Sequence, residues 1–202
     1  MANKSLQHSS LTDNIFYRSM LAGNDAFFPE FESDDFLEEV VLTTSASSVT
    51  FSGLGTYATA GYKHLQIRMV ARADGSSTQD SMTLTFNGVG GTSYAAHYLE
   101  GSGTNVTSGA FTARQNMILP TASSGSSPAN SFAAIVTDIL DPFATTKYTT
   151  TKSLAGMTAR NYATLWSGLF MDTSAISSMT IAPFSSSNFV DGSRFSLYGS
   201  KG

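Results

Sequence analysis

Cysteine is absent from the 202 residues, which excludes disulfides and thiolate metal centres and leaves packing, within or between chains, as the source of stability. Charge is scarce: 13% of residues are charged, against about 25% in an average globular protein. With a net charge of −4 and no clustered Lys or Arg, the chain lacks the basic stripe on which binding to nucleic acid or an acidic membrane depends. No apolar run approaches the roughly 20 residues of a membrane span, and the start, Met1-Ala-Asn-Lys-Ser5, has no apolar leader. A soluble protein made in a cytoplasm is expected. No long helical period appears, and no unit of about 20–50 residues repeats, which removes propellers and solenoids.

Catalytic equipment is equally thin. The chain has three His, and it contains no Gly-x-Ser-x-Gly elbow, no phosphate-binding Gly-Lys-Ser/Thr loop, no His-Glu-x-x-His and no Asp-rich calcium loop. His64 and His97 would bind a metal only if they met across strands and found a third ligand, which no spacing supplies. Asp138 and Asp141 in Thr-Asp-Ile-Leu-Asp-Pro have the look of an acid pair. The Asp-Pro step reads more simply as a strand ending in a turn. No metal, cofactor or enzymatic activity is therefore expected. Asn3-Lys-Ser5 and Asn105-Val-Thr107 match the glycosylation pattern, which carries little weight in a chain without a secretion signal.

What is present is a Ser, Thr, Gly and Ala background in which 41% of residues are hydrophobic, enough for one sizeable core and one domain. Acid is unevenly placed: residues 1–39 hold eight Asp or Glu against Lys4 and Arg18, while residues 40–202 hold seven against nine bases. In the first part, Leu11 to Leu21 reads as one short helix, capped by Thr12 or Asp13 and stopped by Gly23. Phe16, Tyr17, Leu21, Phe27, Phe28 and Phe31 stand among Asp25, Glu30, Glu32, Asp34 and Asp35 without strand alternation. That composition marks residues 1–35 as an extended arm whose aromatics meet a partner surface.

From Phe36 the period becomes two, and about ten candidate strands follow at sandwich-like spacing. In Tyr62 to Arg72, Leu65, Ile67, Met69 and Ala71 share one face, with His64, Gln66, Arg68 and Arg72 on the other. Ser81 to Phe86 turns Met82, Leu84 and Phe86 inward, and Asn87-Gly88 then signals a hairpin whose return strand is Ser93 to Leu99. Further candidates are 116–119, 132–140, 147–154, 162–171, 179–182 and 195–198. Residues 121–129, rich in Ser, read as an exposed loop, and 53–61 and 101–110 as loops. The expected fold is all-β, an antiparallel jelly-roll-like sandwich over 36–202. Tyr57, Tyr62, Tyr94, Tyr98, Tyr148, Tyr162 and Trp166 are either half-buried sheet residues or a platform for sugar.

The segments Tyr62-Lys-His-Leu, Phe86-Asn87-Gly88 and Ser193-Arg-Phe-Ser-Leu-Tyr-Gly199 together resemble virion proteins of tailed bacteriophages, a group that includes fibre, tail and head-decoration proteins. The resemblance covers about 36–202 and does not extend to residues 1–35. It implies a non-enzymatic structural protein of the virion, a capsid decoration or fibre component. In that reading the arm attaches to capsid or tail proteins and the sandwich projects as a symmetric homo-oligomer, taken as a trimer. The alternative it leaves is a tail-associated receptor-binding module that recognises host surface glycan.

Overall fold

The computed structural model describes residues 34–157, 159 and 161–201. The expected helix at Leu11–Leu21 and the arm residues Phe16, Tyr17, Leu21, Phe27, Phe28 and Phe31 lie outside these. Twelve strands follow in order: β1 (Asp35–Val41), β2 (Val49–Ser52), β3 (His64–Ala71), β4 (Gln79–Phe86), β5 (Tyr94–Ser102), β6 (Asn105–Arg114), β7 (Met117–Ser123), β8 (Ala133–Leu140), β9 (Thr149–Met157), β10 (Tyr162–Phe170), β11 (Ser178–Pro183) and β12 (Arg194–Ser200). A single helical turn, α1 (Gly55–Thr59), lies between β2 and β3.

All named strand pairs are antiparallel. They form an eight-stranded sheet, β1-β12-β3-β8-β9-β10-β5-β6, and a four-stranded sheet, β2-β11-β4-β7. Setting aside the hairpins β5–β6 and β9–β10, the remaining strands pair first with last: β1 with β12, β2 with β11, β3 with β8, β4 with β7. A long antiparallel ribbon rolled across two sheets in this way is the jelly-roll topology. The expected fold class holds, and the two extra hairpins widen one sheet beyond β8.

The alternating faces predicted for β3, β4 and β12 are the core. Leu65, Ile67, Met69, Met82, Leu84, Phe86, Phe195 and Leu197 are all buried, each contributing about 1.5–3 kcal/mol of transfer free energy. Phe170 stacks on Tyr94 at 5.0 Å and meets Phe86 at 5.3 Å, and Phe189 meets Phe195 edge-on at 4.8 Å. The contact between Phe170 of β10 and Phe86 of β4 joins the wide sheet to the narrow one.

Three local expectations are corrected. Asn87 and Gly88 do take the positive φ values of 53° and 66° that suit a tight turn. They do not close a hairpin, because β4 is bonded on both sides, to β11 and β7, and β5 crosses to the other sheet. The Asn87 side chain instead accepts from the backbone N–H groups of Ser177 and Ser178 and donates to the Ala175 carbonyl. Residues 101–110 are not a loop: they carry the β5–β6 turn and most of β6. Nor is the serine-rich stretch after Pro120 exposed throughout, since Thr121 to Ser124 and Ser127 are buried.

Arg72 holds the part of this stretch that follows β7. Its guanidinium donates to the carbonyls of Gly125, Ser127, Pro128 and Ser131 and to the Ser131 hydroxyl, so that one side chain serves four carbonyls of the loop. Strand β7 is buried at every residue. The extension packs over this outer strand of the small sheet, so that Ile118, on the far side of β7, meets Ala96 and Trp166, with Tyr98 and Phe111 against them.

Candidate functional site

The wide sheet has one face on the core and one turned outward. Register sets which outward residues are neighbours. Leu165 of β10 lies opposite both Leu99 of β5 and Leu154 of β9, and Leu154 lies opposite Val136 of β8. Four aliphatic side chains thus form one row across four strands, about 14 Å long at the usual strand spacing. Leu99, Leu154 and Leu165 are 50%, 61% and 48% exposed. A shallow groove of about 310 Å³ opens at the β5–β10 end of the row, lined by Leu99 and Leu165 with His97, Lys152 and Ser167.

The neighbouring row is polar and pairs internally. Gln66 donates to Asp138 at 2.7 Å and Lys152 contacts the same carboxylate at 2.9 Å, while Arg68, opposite Val136 at the β3 end of the aliphatic row, donates to Gln66 at 2.6 Å. Arg68 also pairs with Asp34 at 2.8 Å and lies over the Tyr198 ring. Charges on this face are therefore partnered, while the aliphatic row has no cover among the described residues. The arrangement supports contact with another flat, weakly charged surface and offers little for chemistry.

The positions weighed for catalysis and metal binding are not brought together. His64 and His97 stand on β3 and β5, four strand spacings apart in the sheet order, roughly 19 Å. Among the described residues no group of three or more His, Cys, Asp or Glu is placed to hold a metal. Asp138 is engaged by Gln66 and Lys152, whereas Asp141 is engaged by Lys147 and by His64, whose Nδ1 accepts from the Asp141 backbone N–H at 3.0 Å. The bond from Lys147, offset in part by burial, holds the Asp141 carboxyl below its ordinary pKa, with the charges of Lys147, His64 and Lys63 adding to the effect. Asp141 follows the last residue of β8 at φ 50°, the strand-ending turn expected of Asp-Pro.

The aromatics divide. Tyr94 and Trp166 are interior, and Tyr94 donates to the Val89 carbonyl and accepts from the Phe86 N–H. Tyr57 and Tyr62 meet edge-on beside α1, while Tyr148 is exposed. They do not form one platform. Residues 101–110 contain no aromatic at all.

Sequence reasoning missed the aliphatic row because the pattern inverts there. From Thr149 to Ala155 of β9 the inward residues are Thr149, Thr151, Ser153 and Ala155, and the large Leu154 points out; Met157 at the strand end is also buried. Small groups are required inside where β7 approaches closely: the Thr151 hydroxyl reaches the Met117 sulfur at 3.0 Å, while Ser153 hydrogen-bonds its β8 neighbour Thr137 at 2.9 Å. A large residue alternating with small polar ones was the available signal.

By fold the chain is an antiparallel jelly-roll sandwich with a widened, partly apolar outer sheet. Among known proteins, no family model matches the chain and no curated sequence is significantly similar to it.

Proposed function

We propose that this chain is a non-enzymatic structural protein of a phage virion, a capsid decoration or fibre component that works by surface contact. In this reading residues 1–35 attach to capsid or tail proteins and the sandwich forms the projecting body, as a symmetric homo-oligomer. The observation that carries it is the outward aliphatic row of Leu99, Leu165, Leu154 and Val136 beside an internally paired polar row. Low total charge supports the same reading, because a surface covered by neighbours has little need of charge for solubility.

The test is quantitative mass spectrometry of purified virions with immunogold labelling against the sandwich. The expected result is stoichiometric presence, with label on heads for a decoration role or on tails for a fibre role. Deletion of residues 1–35 should abolish incorporation. The variant carrying Leu154→Glu and Leu165→Glu should remain folded yet be retained in particles about tenfold less. Absence of the protein from intact virions would overturn the reading. Tail label together with glycan-array binding would move the assignment to host-receptor recognition, with the groove at His97, Lys152 and Ser167 as the first place to look.

A further inference from the structure

Each sheet has two edges, and an uncovered edge offers unpaired N–H and C=O groups to any other strand. Three of the four edges here carry a recognisable safeguard. β2 is only four residues long. β7 is buried at every residue. β1 breaks register between Phe36 and Glu38 and carries Asp35, Glu38 and Glu39. Two of those acids are already held: Asp35 accepts from the Tyr62 hydroxyl at 2.9 Å and Glu39 from the Ser196 hydroxyl at 2.8 Å.

The fourth edge, β6, is neither short nor buried, and it carries no acidic residue. It is ten residues long, Asn105–Arg114, and among the described residues it is bonded only to β5. From Asn105 to Ala113 it contains neither a charged residue nor a proline. Asn105 to Ser108, Ala110, Thr112 and Ala113 are exposed, Val106 at 72%. Its one irregularity in register lies at the far end, opposite Tyr94 to Ala96.

We propose that β6 is a self-association edge: two copies pair their β6 strands antiparallel about a two-fold axis normal to the sheet, making one continuous sheet from two. The choice of a second copy rests on charge and closure. An uncharged strand can lie against itself without placing like charges opposite one another, which β1 against β1 could not do. Pairing β6 with the β1 of a neighbour is head-to-tail and closes only if its rotation makes a ring, whereas β6 with β6 is isologous and stops at two. The axis leaves both aliphatic rows on the same side of the joined sheet, doubling the face described above. This pairing is a property of the chain alone and does not depend on its place in a particle. It also replaces the expected threefold arrangement with a twofold one.

The experiment is sedimentation velocity on the purified full-length chain across a concentration series, with hydrogen exchange followed in parallel. The wild type should sediment at twice the 21.4 kDa chain mass, and the alternate amides of 106–112 that face away from β5 should lose protection on dilution. Ser108→Lys combined with Ala110→Lys sets four lysines on one face of the seam and should raise the dissociation constant about tenfold or more. Glu38→Lys on β1 should leave the dimer intact. Hydrogen exchange on the wild type keeps the test valid if the double variant folds poorly. The proposal is overturned by a monomer at every concentration, by a trimer, by a dimer whose 106–112 amides facing away from β5 exchange freely, or by capture of a different protein's strand on β6 in place of a second copy.

Discussion

The Tyr98 ring fills the space over Gly109: a Cβ placed on Gly109 would come within 2.7 Å of it. The two residues are directly opposite on β5 and β6, an aromatic covering a glycine on an edge strand. Tyr98 cannot swing aside, because it is stacked on Trp166 at 4.8 Å and faces Phe111 at 6.0 Å. Gly109→Ala should therefore cost about 1–3 kcal/mol, measured by denaturant unfolding, and should increase exchange of β6 amides. An unchanged midpoint would show that the stack yields.

Two glycines on adjacent strands form a controlled pair. A Cβ at Gly168 would meet the Met117 sulfur and the Thr151 hydroxyl at 2.4 and 2.5 Å, while one at Gly156 would meet nothing within 4 Å. Gly168→Ala should destabilise by about 3 kcal/mol, through overpacking against β7. Gly156→Ala should stay within about 0.5 kcal/mol of wild type and on the stabilising side, because alanine loses less backbone freedom. Thermal unfolding of both variants compares the inner and outer faces of one sheet.

Arg72 holds the turn after β7 through four carbonyls and one hydroxyl. Lysine offers three donors from a point charge and cannot span that set. Arg72→Lys should lower stability by about 2 kcal/mol and open residues 125–131 to limited proteolysis, with the cleavage site read by mass spectrometry. Resistance equal to wild type would mean that the buried serines hold the turn alone.

The ion pair between Asp141 and Lys147 sets a pH dependence. The folded-state pKa of Asp141 is lowered from 3.8, with the Lys147 bond as the largest cause. A depressed carboxyl contributes stability that is fully present above the unfolded value and is lost as pH falls through the folded one. The pair is partly exposed, with side chains at 58% and 35%, so screening limits it to at most about 1 kcal/mol. Lys147→Met should lower stability by that margin at neutral pH, and the two stability curves should converge below the folded pKa. Curves that remain parallel into acid would show that the loss comes from packing.

Where alternation is strict, the sequence by itself determined both the strands and their inward faces. Leu65, Ile67 and Met69 of β3, Met82, Leu84 and Phe86 of β4, and Phe195 and Leu197 of β12 all face the core. The jelly-roll class followed from those strands, the turn residues between them and the lack of helical patterning. Absent cysteine and scarce charge narrowed the chemistry before any geometry was known.

Pairing and cover were decided by the tertiary structure, because period two is local and a strand's neighbours are not. Thr50 finds Thr180 at 2.9 Å across 130 residues, and nothing near either one announces the other. Asn87-Gly88 has the chemistry of a hairpin turn, yet both sides of β4 were already taken, and β5 had to join the other sheet. Leu154 resembles a core residue until β7 packs against the opposite face of β9, where Met117 meets Thr151. An edge, likewise, exists only when the order of all strands is known: β6 became one because the β5–β6 hairpin is the last addition to the sheet, with nothing beyond it among the described residues.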